Sequence, residues 1–420
     1  MNIKIILSLL LISISSQLQA QQYEILIKGG HVIDPKNNID KLMDVAINEG
    51  KITRVAENIP TTSAAKVVDA KGLYVTPGFV DIHSHNFFGV DPETEYSNGY
   101  NALHPDGFTF RSGVTTVVDV GGAGWRNFPQ FKEQVIDRVQ TRVLSFLNIV
   151  GHGMKGNPYE QNLNDMDPKM TYLMARQYPE IVGVKLAHYM GHDWEPVDRL
   201  IEAGKLADIP VMVDFGSADP PLSLETLFME KFRTGDIYTH VYGGGGSGRE
   251  SVVDENGKLR PFVLEAQKKG VIMDVGHGGA SFFYDNAVPA LRQGLKPNTI
   301  STDAHLRSSN AGMKDMSNVM SKFLNLGMSI QEVILASTWA PANVIKRPDL
   351  GHLSEGTEAD LTVFNVRKGN FGFLERAGGT KMKGDQKLEV ELTLRAGKIA
   401  WDLNGITADE WTVDRLEVNR

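Results

Sequence analysis

Residues 77–85 read PGFVDIHSH, an apolar run through Phe79, Val80 and Ile82 that closes on His83-Ser84-His85. Aromatic and β-branched residues in a short run bounded by Pro and Gly mark a buried strand. On a strand, side chains at i and i+2 share a face, so His83 and His85 point together while Ser84 points away. Two neutral imidazoles aimed at one point form a ready metal pair. A lone His-x-His often serves packing. Its place at the end of the first strand of a series turns the reading toward a ligand pair.

Seven more buried runs follow that strand (78–83), at 114–120, 142–150, 182–187, 210–215, 237–242, 271–275 and 299–303. Each ends in polar or glycine residues and leads into a helix-like stretch, the pattern of βα repetition. Eight such units over roughly 270 residues match the size of a (β/α)8 TIM barrel, the α/β fold expected here, in which chemistry sits at the carboxyl ends of the strands. A doubly wound open sheet is the weaker alternative, because no glycine-rich phosphate loop follows the first strand. The glycine run Gly243–Gly246 lacks the Lys-Ser/Thr ending of a P-loop and reads as a flexible substrate loop. Pro220-Pro221 suggests a second shaped loop near the mouth.

Outside this centre the pattern changes to alternation. Residues 23–34 and 44–56 at one end, and 360–366 and 388–402 at the other, alternate apolar and polar side chains around glycine turns. Asn-Glu-Gly-Lys (48–51) is echoed by Arg-Ala-Gly-Lys (395–398). The expected organisation is a signal peptide at 1–20, a small β-sandwich shared between 21–76 and 350–420, and the barrel at 77–349. Lys4 followed by the apolar run Ile5–Ile14 and a small residue at Ala20 has the form of an export signal, so a periplasmic or secreted protein is expected.

Composition narrows the function. Of 420 residues, 41% are hydrophobic and 22% charged, ordinary proportions for a soluble globular protein. With a net charge of −8 and no basic stripe, nucleic acid is an unexpected partner. No membrane partner is expected once the signal is removed. The sequence contains no cysteine, which excludes disulfides, thiolate catalysis and cysteine metal sites. A small-molecule substrate is the expected partner, and self-association into a homo-oligomer is left open.

The later strands each bring a ligand type near their carboxyl ends: Lys185 on the fourth, His240 on the sixth, Asp303 on the eighth. An ammonium in the middle of Val184-Lys185-Leu186 is costly to bury unless paired or chemically altered. Carbamylation by carbon dioxide would make Lys185 an anionic ligand with two oxygens. Snorkelling to the mouth or pairing with an aspartate is the plainer outcome. Asp303 fits a metal ligand and proton acceptor on the catalytic face, or a helix N-cap. His277, between glycines in DVGHGG, reads either as a substrate contact with Gly278 and Gly279 or as a histidine in a tight turn. His152, His188, His192 and His305 read as supporting or solvated residues.

PGFVDIHSH, GVKLAH, YTHVYGG, DVGHGGASF, STDAH and the closing ELTLRAGKIAWDLNG together resemble the amidohydrolase superfamily, most of all its dihydroorotase-like deacetylase branch. The likeness spans nearly the whole chain beyond residue 20. It implies a zinc-dependent hydrolase with two ions: His83, His85 and Asp303 on the first, His240 on the second, and carbamylated Lys185 between them. The family places a histidine where this chain has Asp214, at the end of the fifth strand. Asp214 is read as a substituted ligand, with a weak or missing second ion as the alternative. The implied reaction is cleavage of an amide or ester, as in deacetylation or opening of a cyclic amide, by a metal-activated hydroxide with Asp303 shuttling the proton. A one-metal deaminase or isomerase, and a periplasmic binding protein with little catalysis, are the rival functions on this scaffold.

Overall fold

The structure is a computed structural model that describes residues 22–215, 218–244 and 249–411. The expected signal peptide and part of the Gly243–Gly248 run lie outside the described residues.

The first half of the terminal unit comprises β1 (Tyr23–Asp34), β2 (Ile39–Asn48), β3 (Lys51–Ala56), β4 (Ala64–Asp69) and β5 (Tyr74–Pro77). One residue later, Gly78 hands the chain to β6 (Phe79–Ser84), the first strand of the second sheet. An added Cβ at Gly78 would lie 2.2 Å from Thr115 Oγ1, so only glycine allows that close crossing. A short β7 (Phe88–Asp91) bridges to Gly99.

The second sheet continues through β8 (Val114–Gly124), β9 (Arg142–Asn148), β10 (Ile181–Ala187), β11 (Val211–Asp214), β12 (Ile237–Tyr238) and β13 (Ile272–Met273). Its seven strands run in the order β13-β12-β11-β10-β9-β8-β6, and every pairing is parallel. The eighth expected strand, at 299–303, and the residue after it contribute isolated bridges in place of a full ladder. Thr299 bridges to Asp274 beside β13, and Ala304 bridges to Ser84 of β6. A single segment that hydrogen-bonds beside both edge strands requires the sheet to be curled. Helices at Pro168–Gln177, Glu195–Ala207, Pro261–Lys268, Tyr284–Arg292 and Met316–Asn325 follow strands in the expected alternation. Buried side chains of strands and helices, among them Val184, Leu200, Val213, Val263 and Phe323, share one large apolar core.

The last strands are β14 (Leu361–Leu374), β15 (Lys381–Arg395) and β16 (Lys398–Asp402). β14 pairs antiparallel with β5, so the two chain ends join into one eight-stranded sheet, β16-β15-β14-β5-β1-β2-β3, with β4 also on β1. The ends therefore build one connected sheet that branches at β1: its first half pairs with β4 and its second half with β5. A separate core of Val32, Val45, Val75, Leu361, Val363 and Leu392 holds it together. The two echoing turns are both left-handed at their central residues, with φ of 50° and 72° at Glu49-Gly50 and 52° and 74° at Ala396-Gly397. That geometry suits the tight two-residue turns that join twisted antiparallel strands. The turns also pack tip to tip, since a Cβ on Gly397 would lie 2.6 Å from the Gly50 Cα. β14 and β15 run well past the expected ends, and their hairpin extends toward the site.

Candidate metal site and active cavity

The curled sheet brings the separated residues together. Among the described residues, His83, His85 and Asp303 form a group whose ligating atoms all lie within 4.8 Å of one another, and all three are buried. His85 Nε2 is 3.0 Å from Asp303 Oδ1, and His83 Nε2 is 3.6 Å from the same oxygen.

The hydrogen-bond network fixes which nitrogen of His83 is free. Thr239 Oγ1 donates to Asp274 Oδ2 at 2.8 Å and therefore accepts from His83 Nδ1, also at 2.8 Å. Asp274 is held further by Thr299 Oγ1 at 2.6 Å and Ser301 Oγ at 2.8 Å. His83 Nε2 is left with its lone pair toward Asp303, the tautomer a metal ligand needs. Burial, reinforced by the Lys185 charge, pushes the His83 imidazole down to about 3, so it stays neutral. Burial pushes the Asp303 carboxyl up, but the imidazoles of His83, His85 and His305 reverse this and hold it below the ordinary carboxylate range. His85 Nδ1 has no hydrogen-bond partner among the described residues. Two imidazoles and one carboxylate with converging ligand atoms fit a divalent cation.

The second expected group lies alongside. His240 Nδ1 donates to the Gly276 carbonyl, so the Nε2 of the neutral ring carries a bare lone pair, 3.1 Å from Asp214 Oδ2. The His83 and His240 rings are 5.0 Å apart. Lys185 is completely buried. Its Nζ lies 3.8 Å from Asp214 Oδ2 and 3.6 Å from Met212 Sδ. Burial lowers the Lys185 ammonium from its ordinary value and so favours the neutral amine.

Glycines make this density possible. A Cβ on Gly276 would lie 2.3 Å from Thr239 Oγ1, 2.8 Å from His240 Nδ1 and 3.0 Å from His83 Nδ1. His188, His240 and Asp303 take left-handed backbone angles, with φ of 56°, 60° and 51°. Non-glycine residues in that region are uncommon and concentrate at functional sites.

A cavity of about 360 Å³ opens above these groups, lined by His85, Asp214, His240 and Asp303 together with Tyr96 and His305. Gly279 lines it as well. His277 is placed elsewhere: its buried ring stacks on Phe282 at 4.6 Å and its Nε2 receives a hydrogen bond from Lys322 Nζ at 2.5 Å. Gly278 contributes closeness, since its added Cβ would lie 2.3 Å from Asp303 Oδ2. Of the other histidines, His188 reaches the cavity with Nδ1 on Glu160 Oε2 at 2.9 Å, while His152 packs against Tyr159 and His192 is exposed.

Three cavity residues carried no signal in the sequence: Tyr96, whose ring stacks on His85 at 4.3 Å; Arg249, 2.5 Å from Asp214 Oδ1; and Arg307. Tyr96 and Arg249 sit in irregular segments and Arg307 in a single-turn helix, Leu306–Ser309, all too short for a hydrophobic period, so neighbours in sequence say nothing about neighbours in space.

A curled parallel sheet with a buried ligand cluster under a cavity defines a class of metal-site enzymes. Comparison with known proteins narrows it. The model of the amidohydrolase family matches residues 283–400. A deacetylase of Brucella anthropi is 33% identical over 336 residues, 78% of this chain and 80% of that protein. The crystal structure of an adenine deaminase superposes with a TM-score of 0.80 at 28% identity, covering 90% of this chain and 100% of that one. That of a dihydroorotase gives 0.77 at 28% identity, over 89% and 98%. The chain belongs to the amidohydrolase family, and it is a metal-dependent hydrolase of amide bonds.

Proposed function

We propose that this protein removes an acyl group from the nitrogen of a small molecule or opens a small cyclic amide, on a closed (β/α)8 barrel. The observation that carries the reading is the convergence of His83, His85 and Asp303, two of which, His85 and Asp303, line the cavity. The deacetylase and dihydroorotase relatives support the two forms of the reaction. Zinc is the ion this donor set suits, held by His83, His85 and Asp303 at one position and by Asp214 and His240 at a second. Lys185, in its carbamylated form, would add a further anionic oxygen ligand to this group. Bound zinc lowers the pKa of water from 15.7 to about 7 and polarises a carbonyl oxygen.

The chain's own residues do the rest. Asp303 Oδ1 is the carboxylate oxygen nearest to both imidazoles and faces the cavity, so it takes the proton from the attacking water and returns it to the departing nitrogen. The Tyr96 phenol, pushed well above its ordinary value by burial and the nearby Asp303 charge, keeps its proton and lines the same cavity as a donor for the substrate. Gly279 lets the substrate approach the backbone closely.

The test is Asp303→Asn, assayed on a panel of N-acetyl amino acids, cyclic amides and simple esters with zinc content measured in parallel. Turnover should fall about 100- to 10,000-fold while the protein keeps its zinc. Undiminished turnover on a substrate the parent cleaves would remove Asp303 from the mechanism. The adenine deaminase neighbour motivates adding exocyclic amines to the panel, and ammonia release from these alone would point to deamination.

A further inference from the structure

Asp214 brings a full negative charge to a position where a neutral imidazole would leave the cation's charge intact. Two oxygens of this one carboxylate face different partners. Oδ2 faces the lone pair of His240 Nε2 at 3.1 Å, while Oδ1 lies 2.5 Å from Arg249 Nη2. His240 cannot supply a proton to that contact while neutral, because its only N–H is spent on the Gly276 carbonyl. Two lone-pair donors this close, one of them oriented from behind by a carbonyl, form a ligand pair. Arg249 stands on the far oxygen, its side chain mostly buried, and brings a planar cationic guanidinium to that contact.

We propose that Arg249 and Asp214 act as one composite ligand of zero net charge, in which the arginine cancels the carboxylate's charge so that the ion at Asp214 and His240 keeps the electrophilicity a histidine would leave it. The inference rests on the two-ion form of the proposed function. Arg249 is a positioning and charge-setting residue here, acting through Asp214 Oδ1. An anionic ligand without such a partner would donate more charge to the ion, hold it more tightly and leave it a weaker acid.

The experiment compares the full-length parent, Arg249→Met and the double variant Asp214→His/Arg249→Met. Zinc per chain and the rate of zinc loss to a chelator are measured without substrate, and kcat and KM on whichever amide the parent cleaves. The parent should carry two ions. Arg249→Met should carry two, lose the second about tenfold more slowly, and show a kcat about tenfold lower with KM within twofold. The double variant, with a neutral ligand that needs no counter-charge, should recover kcat to within about threefold of the parent. One ion per parent chain, unchanged zinc loss in Arg249→Met, or a rise in KM at constant kcat would each overturn the proposal, the last by making Arg249 a substrate contact. If zinc behaves as expected but no amide is cleaved, the hydrolase reading falls and the composite ligand stands.

Discussion

At Gly278 the backbone runs at a φ of 58°, and an added Cβ would sit 2.3 Å from Asp303 Oδ2. Alanine there meets two penalties at once: a left-handed backbone costs an L-residue roughly 1–2 kcal/mol, and the methyl must displace the carboxylate. Gly278→Ala should therefore lower kcat about 10- to 100-fold while the fold persists, since misplacing a reacting group by an ångström costs that order of rate. Steady-state kinetics with a thermal melt of the same sample checks it, and unaltered kcat would mean the loop yields instead. Residues of this scale were legible where strand geometry made them so. His83 and His85 announce themselves by i, i+2 spacing, and Asp303 by closing an apolar run. His277 was legible as a glycine-flanked histidine but not in its direction, because the partner that turns its ring away, Lys322, lies 45 residues further on. Arg249 was illegible, as its significance depends on an aspartate 2.5 Å away in space and on no local pattern.

Among elements, the helix Met316–Asn325 ties the site to the terminal sheet. Buried Lys322 Nζ has three donors and three acceptors: His277 Nε2 at 2.5 Å, the Gly312 carbonyl at 2.8 Å and the Leu374 carbonyl at 2.6 Å. Leu374 closes β14, and Ala377, in the turn beyond it, lines the cavity. The sheet made from the chain ends thus supplies part of the cavity wall. Lys322→Met fits the space but strands three acceptors, each worth about 1–3 kcal/mol when buried unpaired, against a gain from no longer burying a charge. The net expectation is a loosened wall: amide hydrogen exchange over 371–384 at least tenfold faster, and KM raised about fivefold with kcat changed less. Exchange indistinguishable from the parent would show that the hairpin holds itself. Strands β6, β8, β9 and β10 match their expected spans closely because continuous apolar runs are what buried parallel strands require. The runs at 237–242 and 271–275 shrink to two-residue strands, Ile237–Tyr238 and Ile272–Met273, the first ending just before the left-handed His240 and the second reduced beyond Met273 to the isolated Asp274–Thr299 bridge.

Across the whole molecule, an ion cluster joins the two sheets. Arg142 of β9 pairs with Glu358 and, at 2.6 Å, with Asp360, and Arg395 of β15 reaches Glu358 at 2.6 Å and Asp360 at 3.1 Å. Burial pushes the Glu358 carboxyl up, but the Arg395 hydrogen bond and the charges of Arg142 and Arg395 outweigh it and leave it below its ordinary 4.5. A carboxylate depressed in the folded state adds stability that is complete above its unfolded pKa and is lost as pH falls through the folded one. Glu358 is 44% exposed, so the contribution is about 1 kcal/mol or less. Glu358→Gln should be that much less stable to urea at pH 7, with the gap from the parent closing as pH falls below the ordinary carboxylate range. A gap that persists in acid would assign the effect to packing. Alternation and paired glycine turns made a unit built from both termini legible. Its single connected sheet was not, because pairing across hundreds of residues leaves no period behind.

That pairing sets an order of events on the ribosome. Thr76 of β5 meets its partner Thr362 of β14 across 286 positions. Until β14 has been translated, β5 offers a bare edge and Val75 has no Val363 to cover it. The strands made early must wait, shielded from sticking to other chains, until the chain has grown through β14.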